Sequence, residues 1–409
     1  MNGIYSVPPA VLETRREQKR QRDLFFRIPS RIILNERGTS FFTAHGRMPR
    51  RFETAGGEHH FGFHFEKTGF SWLKKLISNS YLEKMEIQVK DISACRTHLE
   101  DAVKLVFFSM FRHRINMSIL ERIYDSPMVR AWNRTNPKKS IGPGIKMPGK
   151  SLVELLNSRA PGRYEELKDE LYHRTVKNLP VFFAEQREDQ RELDNFIAEL
   201  VSGINPLVFF VLAGSKSLDT FGLLRSISGE ITEFVRRFDI VNLAALLTIE
   251  LVSAAERSAL VRMLEDTGNA GDISGILENP GRRKSIMKEK SFRGSTVAVA
   301  IPAEIPQENR RLRFRISVHN DGADAETGRR LMEDFTERGF SLRDGGDLEA
   351  FLRAPRSRRE NSVYEDNGMC FYHLSALREQ CGKNRILLDT AIRNTQSGKS
   401  VVTTLWFGF

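Results

Sequence analysis

The order of patterned segments after residue 239 constrains this chain more than any other feature. IVNLAALLTIELVSAAERSALVRMLE reads as one long helix, with Leu247, Leu251, Ala254 and Ala255 on one face. Two runs of strand character follow, STVAVAIPAEI and RLRFRISVHN, and then a tight His319-Asn320-Asp321-Gly322 turn. A helix, AETGRRLMEDFTERG, leads into a basic loop over 342–361. The chain closes with a glycine-led helix, NGMCFYHLSALREQCG, and two strands, RILLDTAIR and SVVTTLWFGF, joined by NTQSGK. This alternation predicts an α/β sandwich over 239–409, a mixed sheet backed by a helical layer.

The same order resembles the GHKL superfamily of ATPases, to which the histidine kinases belong. Glu250-Leu251-Val252-Ser253-Ala254-Ala255 stands where that family carries a helical E-L-x-x-N-A box, whose Asn holds magnesium. Asn320-Asp321-Gly322 stands at the adenine-contacting D-x-G box. Gly368-Met369-Cys370-Phe371 stands at the G-x-G-L phosphate box, and Gly398-Lys399-Ser400 at the Gly-Thr turn before the last strand. The resemblance implies a nucleotide pocket framed by Glu250, Asn320, Asp321, Gly322, Gly368 and Gly398. The departures matter chemically. Ala254 cannot ligate a hard cation, which takes oxygen ligands. Asn320 loses the ionised acceptor of an Asp and its stronger hydrogen bonds. Cys370 puts a Cβ where backbone would approach phosphate closely. Together they argue against ATP hydrolysis or phosphoryl transfer. No catalytic residue and no cofactor are expected, and ATP with magnesium enters only under the alternative of an active enzyme with atypical boxes.

Upstream, four segments are expected in an α+β multidomain chain. Residues 1–135 form a mixed α/β N-terminal domain, 136–150 (NPKKSIGPGIKMPGK) a linker or loop, 151–238 a helical segment, and 239–409 the ATPase-like domain. In the first, DLFFRIPSRIILNERGTSFF reads as strand-turn-strand with Asn35-Glu36-Arg37-Gly38 as the turn. Phe61, Phe63 and Phe65 alternate as on a half-buried strand. THLEDAVKLVFFSMFRHRINMSILERIYD reads as a helix capped near Thr97. In the helical segment, Leu155, Leu156, Leu167, Leu171, Val176 and Leu179 suit pairing in a bundle or homodimer. GNAGDISGILENPGRRKSIMKEKSFRG reads as a break rich in glycine and basic residues.

Other candidate sites carry weaker patterns. Leu171–Leu179 resembles the H-R-x-K-N-x-L phospho-acceptor box of one histidine-kinase subclass, with His173 as acceptor. Its Lys177-Asn178 falls one position late, a rotation of about 100° on a helix. Glu58, His59, His60, His64, Cys95, His98 and His113 are metal-ligand types, but none has the spacing of a standard zinc pattern, so no metal is expected. Two basic stretches could meet phosphate backbones. One holds Arg282, Arg283, Lys284, Lys288, Lys290 and Arg293; the other holds Arg353, Arg356, Arg358 and Arg359. Neither a P-loop nor a G-x-S-x-G elbow occurs.

Composition narrows the setting. The formal charge is +11, which attracts anionic partners without choosing among them. Three scattered cysteines, Cys95, Cys370 and Cys381, suit a reducing compartment. The most apolar run, PLVFFVL from Pro206 to Leu212, is far short of the roughly 20 residues that span a bilayer. The expectation is a cytoplasmic regulatory or scaffolding protein in signalling, with a protein partner, no membrane span and an eroded ATPase-like domain. A basic nucleic-acid-binding protein is the other alternative.

Overall fold

Eight antiparallel strands in a single sheet organise the larger part of the molecule. The computed structural model describes residues 25–26, 29–53, 59–66, 68–142, 149–179, 187–214, 217–235, 237–268, 273–288, 292, 295–300, 313–320, 369–394 and 401–408. These divide into two compact units, Met1–Val106 with Ile240–Phe409, and Phe107–Asp239.

The first unit contains β1 (Phe25–Phe26), β2 (Ser30–Leu34), α1 (Glu36–Ala44), β3 (Arg50–Glu53), β4 (His59–Phe65), β5 (Thr68–Gly69), α2 (Phe70–Ser78) and β6 (Leu82–Val89). It also holds the start of α3 (Ile92–Tyr124). The second unit continues α3 and adds α4 (Pro127–Thr135), α5 (Gly149–Arg159), α6 (Arg163–Lys177), α7 (Arg187–Ser202), α8 (Pro206–Gly214) and α9 (Ser217–Val235). The chain re-enters the first unit along α10 (Phe238–Asp266). It completes that unit with α11 (Ile273–Glu278), α12 (Pro280–Met287), β7 (Ser295–Ala300), β8 (Arg313–Asn320), α13 (Met369–Lys383), β9 (Leu387–Asn394) and β10 (Val401–Gly408).

The large sheet has the order β3-β4-β2-β6-β7-β8-β10-β9, and β1 pairs with β5 in a small separate ribbon. Strands from the two segments expected as separate domains, 1–135 and 239–409, therefore hydrogen-bond in one sheet, joined where Val89 pairs with Ser295 and Lys84 with Ala300. The sheet was expected to be mixed; every described pairing is antiparallel. Strands that follow one another in sequence, β3–β4, β7–β8 and β9–β10, lie side by side, which needs no parallel crossover.

Period-two alternation splits the sheet into two faces. One carries Ile32, Leu34, Met85, Ile87, Val89, Val297, Val299, Phe314, Ile316, Val318, Leu405 and Phe407, all buried. The Phe314 and Phe407 rings stack there with centroids 5.0 Å apart. Helices cover this face. Phe42 of α1 meets Phe63 edge-on at 5.1 Å, and Trp72 of α2 meets Phe65 at 4.9 Å. Arg378 of α13 donates to the Thr390 hydroxyl at 2.8 Å.

Asn35–Gly38 is not a hairpin turn but the start of α1. The Asn35 side chain accepts the Gly38 N–H at 2.9 Å and donates to the Ser80 carbonyl at 2.7 Å, which caps the helix and ties it to the loop before β6. The stretch after 273 is not a break: Asn279 accepts the Gly281 and Arg282 N–H groups, and Pro280 sits at the first position of α12. α3 also starts earlier than Thr97, at Ile92. The linker expectation over 136–150 covers a short 3-10 turn, Pro137–Lys139, the undescribed residues 143–148 and the first residues of α5.

In the second unit, Phe107, Met110, Phe111, Ile115, Ile119 and Ile123 run at helical spacing along α3 and are buried. α8, Pro206–Gly214, buries Leu207, Val208, Phe209, Val211 and Leu212, apolar all round as a central helix must be. Asn116 staples α3 to the turn before α8, donating to the Gly203 carbonyl at 2.9 Å and accepting the Asn205 N–H at 3.1 Å. Leu156, Leu167 and Leu171, expected as a pairing stripe, are buried within this unit, and Leu155 is exposed. By length and composition, a window within Thr220–Asp266 (mean hydropathy 1.7) could cross a membrane, and 61% of it is buried inside the protein, as in a core helix.

Candidate functional site

Several strands of the first unit reach one end of the sheet together. Val89 pairs with Ser295, Thr296 with His319, and Val401 with Asn320. Just beyond Val89 the chain turns into α3, and this helix start gathers polar groups from α10 and α12.

Asp91 accepts the Ala94 N–H on its own carboxylate at 3.3 Å, capping α3. A second carboxylate reaches the same helix start from α10. Glu256 is 3% exposed, and one of its oxygens accepts the Ile92 N–H at 2.6 Å. Its other oxygen lies 3.7 Å from the Arg283 guanidinium of α12, which donates to the Ser93 hydroxyl at 2.7 Å. The end of α10 also packs on α12: Leu260, Met287 and Phe292 form a small buried cluster. Anionic groups at a helix N-terminus complement the partial positive charge of the unpaired N–H groups.

Burial dominates the electrostatics. It lifts the Glu256 carboxyl from 4.5 to about 7; the Ile92 N–H bond and the Arg283 charge pull it back, and Asp91 pushes it further up. The Cys95 thiol, which donates to the Asp91 carbonyl at 3.1 Å, is pushed up to about 12 by burial first and then by the Glu256 and Asp91 charges. On α13, burial pushes Cys381 up to about 12. Both thiols are free and lack the thiolate character of reactive cysteines. Arg96, one turn into α3, lies 3.9 Å from Glu250. Burial, and then the Arg96 charge, hold the His373 imidazole of α13 below its usual value.

The structure brings two of the expected nucleotide-site residues, Glu250 and Asn320, against this seam. Asn320 is 5% exposed, and its amide donates to the Ser258 hydroxyl of α10 at 3.3 Å. Ser258 in turn donates to the carbonyl of Ala254, which the resemblance sets where a magnesium-holding Asn was expected. Asp321, Gly322, Gly368 and Gly398 lie outside the described residues, as do Arg353, Arg356, Arg358 and Arg359. His173 is exposed on α6 in the second unit, beside the Tyr172 ring. His60 and His64 each stand within 3.5 Å of a carboxylate, Glu83 and Glu66. Among the described residues, no three metal-ligating side chains gather at one point.

The sequence reading placed Arg283 in a basic stretch but did not bring Glu256, Asp91, Ser93 and Arg283 together. A signal existed for one of them. Glu256 stands four residues after Val252 and four before Leu260, so a carboxylate interrupts a buried stripe of α10. A buried acid that titrates near neutrality has the pKa of a general base. A base must also reach a substrate proton, and here both oxygens of Glu256 are directed at Ile92 and Arg283.

Comparison with known proteins adds a family and no activity. The chain is 18% identical, over 397 residues, to an uncharacterized protein of Treponema pallidum (strain Nichols), an alignment covering 93% of this chain and 97% of that one. No solved structure matches. Residues 21–409 match a family of unknown function (DUF8084), and the chain belongs to that family.

Proposed function

We propose that this chain is a regulatory or scaffolding protein that acts by binding a protein partner, and that its sheet is an eroded histidine-kinase-type ATPase domain without phosphoryl chemistry. The observation that carries the reading is the internal use of the polar groups at the sheet end. Asn320, at the expected adenine box, is buried and spends its amide on Ser258. Glu250 faces Arg96, and Ala254 offers magnesium no oxygen from its side chain. Glu256 holds the start of α3. A cytoplasmic setting belongs to the same proposal and rests on scattered cysteines, two of them free and buried or partly buried.

The raised pKa of Glu256 favours a second reading, a residual ATP-using enzyme with Glu256 as base. Calorimetric titration of the full chain with ATP and with ADP, each with and without magnesium, separates the two. The regulatory reading predicts no saturable heat up to millimolar nucleotide. Magnesium-dependent, stoichiometric ATP binding would establish the enzyme instead.

A further inference from the structure

The face of the sheet opposite the core carries a second kind of chemistry, independent of the nucleotide question. On β8, β10 and β9 the register sets four rows side by side. Arg313 stands in line with Gly408 and Leu387, Arg315 with Trp406 and Asp389, Ser317 with Thr404 and Ala391, and His319 with Val402 and Arg393. Arg313, Arg315, Asp389 and Arg393 are exposed, and Trp406 keeps 39% of its surface in solvent. The Arg315 guanidinium lies over the Trp406 ring, 5.2 Å from its centroid. The Ser317 and Thr404 hydroxyls sit 3.1 Å apart beside them. Ala391, Gly408 and, one strand further, Ala298 keep the surface between the long side chains low. α1, α2, α10 and α13 touch the sheet on its other face, through Phe63, Phe65, Asn320 and Thr390.

From this juxtaposition we infer that the β8–β10–β9 outer face binds single-stranded nucleic acid, with a base stacked on the Arg315–Trp406 pair and phosphates met by Arg313 and Arg393. An exposed tryptophan with a guanidinium over it is a platform that any base can extend, because every base has a π face. Three arginines against one carboxylate, Asp389, give the patch the sign that a phosphate backbone requires, and the chain as a whole carries +11. A strand surface with short side chains between the arginines admits splayed bases, whereas a duplex would bury its bases away from Trp406. An acidic protein surface would satisfy the arginines and leave the stacking platform unused.

The test uses the full chain and fluorescein-labelled oligo(U) and oligo(dT), read by anisotropy across a salt series. Binding is expected at about 50 mM salt and should weaken steeply as salt rises, with a slope of about −0.7 per phosphate contacted. Trp406→Ala should weaken binding roughly tenfold or more, and Trp406→Phe should restore most of it. Arg315→Ala and Arg393→Ala should each make the salt dependence shallower. The three side chains changed, Trp406, Arg315 and Arg393, are solvent-facing, and unchanged far-ultraviolet circular dichroism and melting temperature certify each variant's fold. Absence of binding at low salt would overturn the inference. So would affinity that ignores Trp406 and Arg315 but collapses in Lys284→Glu/Lys288→Glu on α12. Displacement by polyglutamate together with indifference to Trp406→Ala would overturn it as well, in favour of an acidic protein partner.

Discussion

Glu256→Gln is expected to stabilise the chain above neutral pH, by about 3 kcal/mol at pH 8, and to leave it nearly unchanged at pH 4.5. The sign follows from the direction of the shift. Burial raises the Glu256 carboxyl from 4.5 to about 7 in the folded chain, so the folded state holds this proton more tightly than the unfolded one. The associated stability is fully present below 4.5 and is lost as pH rises to about 7, where the folded chain must carry a buried charge. Glutamine has the shape of the protonated acid and still offers an oxygen to the Ile92 N–H. It removes the charge that burial penalises. Arg283 keeps its bond to Ser93 and remains partly in solvent, so it is not stranded. Urea unfolding at pH 5 and pH 8 reads the effect directly. The wild-type and variant curves should separate as pH rises, and parallel curves would show that Glu256 does not titrate in the folded range.

The second large effect concerns β4. A Cβ on Gly62 would lie 1.9 Å from the Ile32 carbonyl oxygen and 2.9 Å from its carbon, both backbone atoms of the neighbouring strand. Neither can rotate away as a side-chain tip could. Gly62→Ala must therefore spread β2 from β4 or distort the ladder that pairs Ile33 with Gly62. Ile32 and Ile33 are both buried, so the displacement is felt in the core. We expect a loss of about 3 kcal/mol, the upper end of the range for overpacking, because the neighbour is rigid backbone. Chemical denaturation measures it, and a loss below about 1 kcal/mol would mean that the two strands are not held at this spacing.

Much of the first unit was legible because its signals are local. Alternation along RLRFRISVHN and SVVTTLWFGF marked β8 and β10, and the apolar run from Ile240 marked α10 at nearly its full length. The pairing of β6 with β7 was not legible. Those strands are separated by the whole helical segment, and no local pattern announces a partner so distant. Asn35 misled for a related reason. Asn-Glu-Arg-Gly suits a turn as well as a helix start, and the bond from Asn35 to Ser80 across the fold decides between them. Glu250 and Asn320 were singled out through a family resemblance as nucleotide contacts, and the structure shows them paired with Arg96 and Ser258. Glu256 was missed, and Arg283 was read only as part of a basic stretch, because their meaning lies in the start of α3, which is distant from both in sequence.

We propose that the buried Glu256 side chain of α10 fixes the start of α3 and performs no chemistry. Phosphate release from saturating magnesium-ATP by the full chain, measured from pH 6 to 9 alongside Glu256→Gln, addresses that claim most directly. No release above buffer is expected for either protein at any pH. Release by the wild type that rises through about pH 7 and vanishes in Glu256→Gln would make this carboxylate a catalytic base and overturn the proposal.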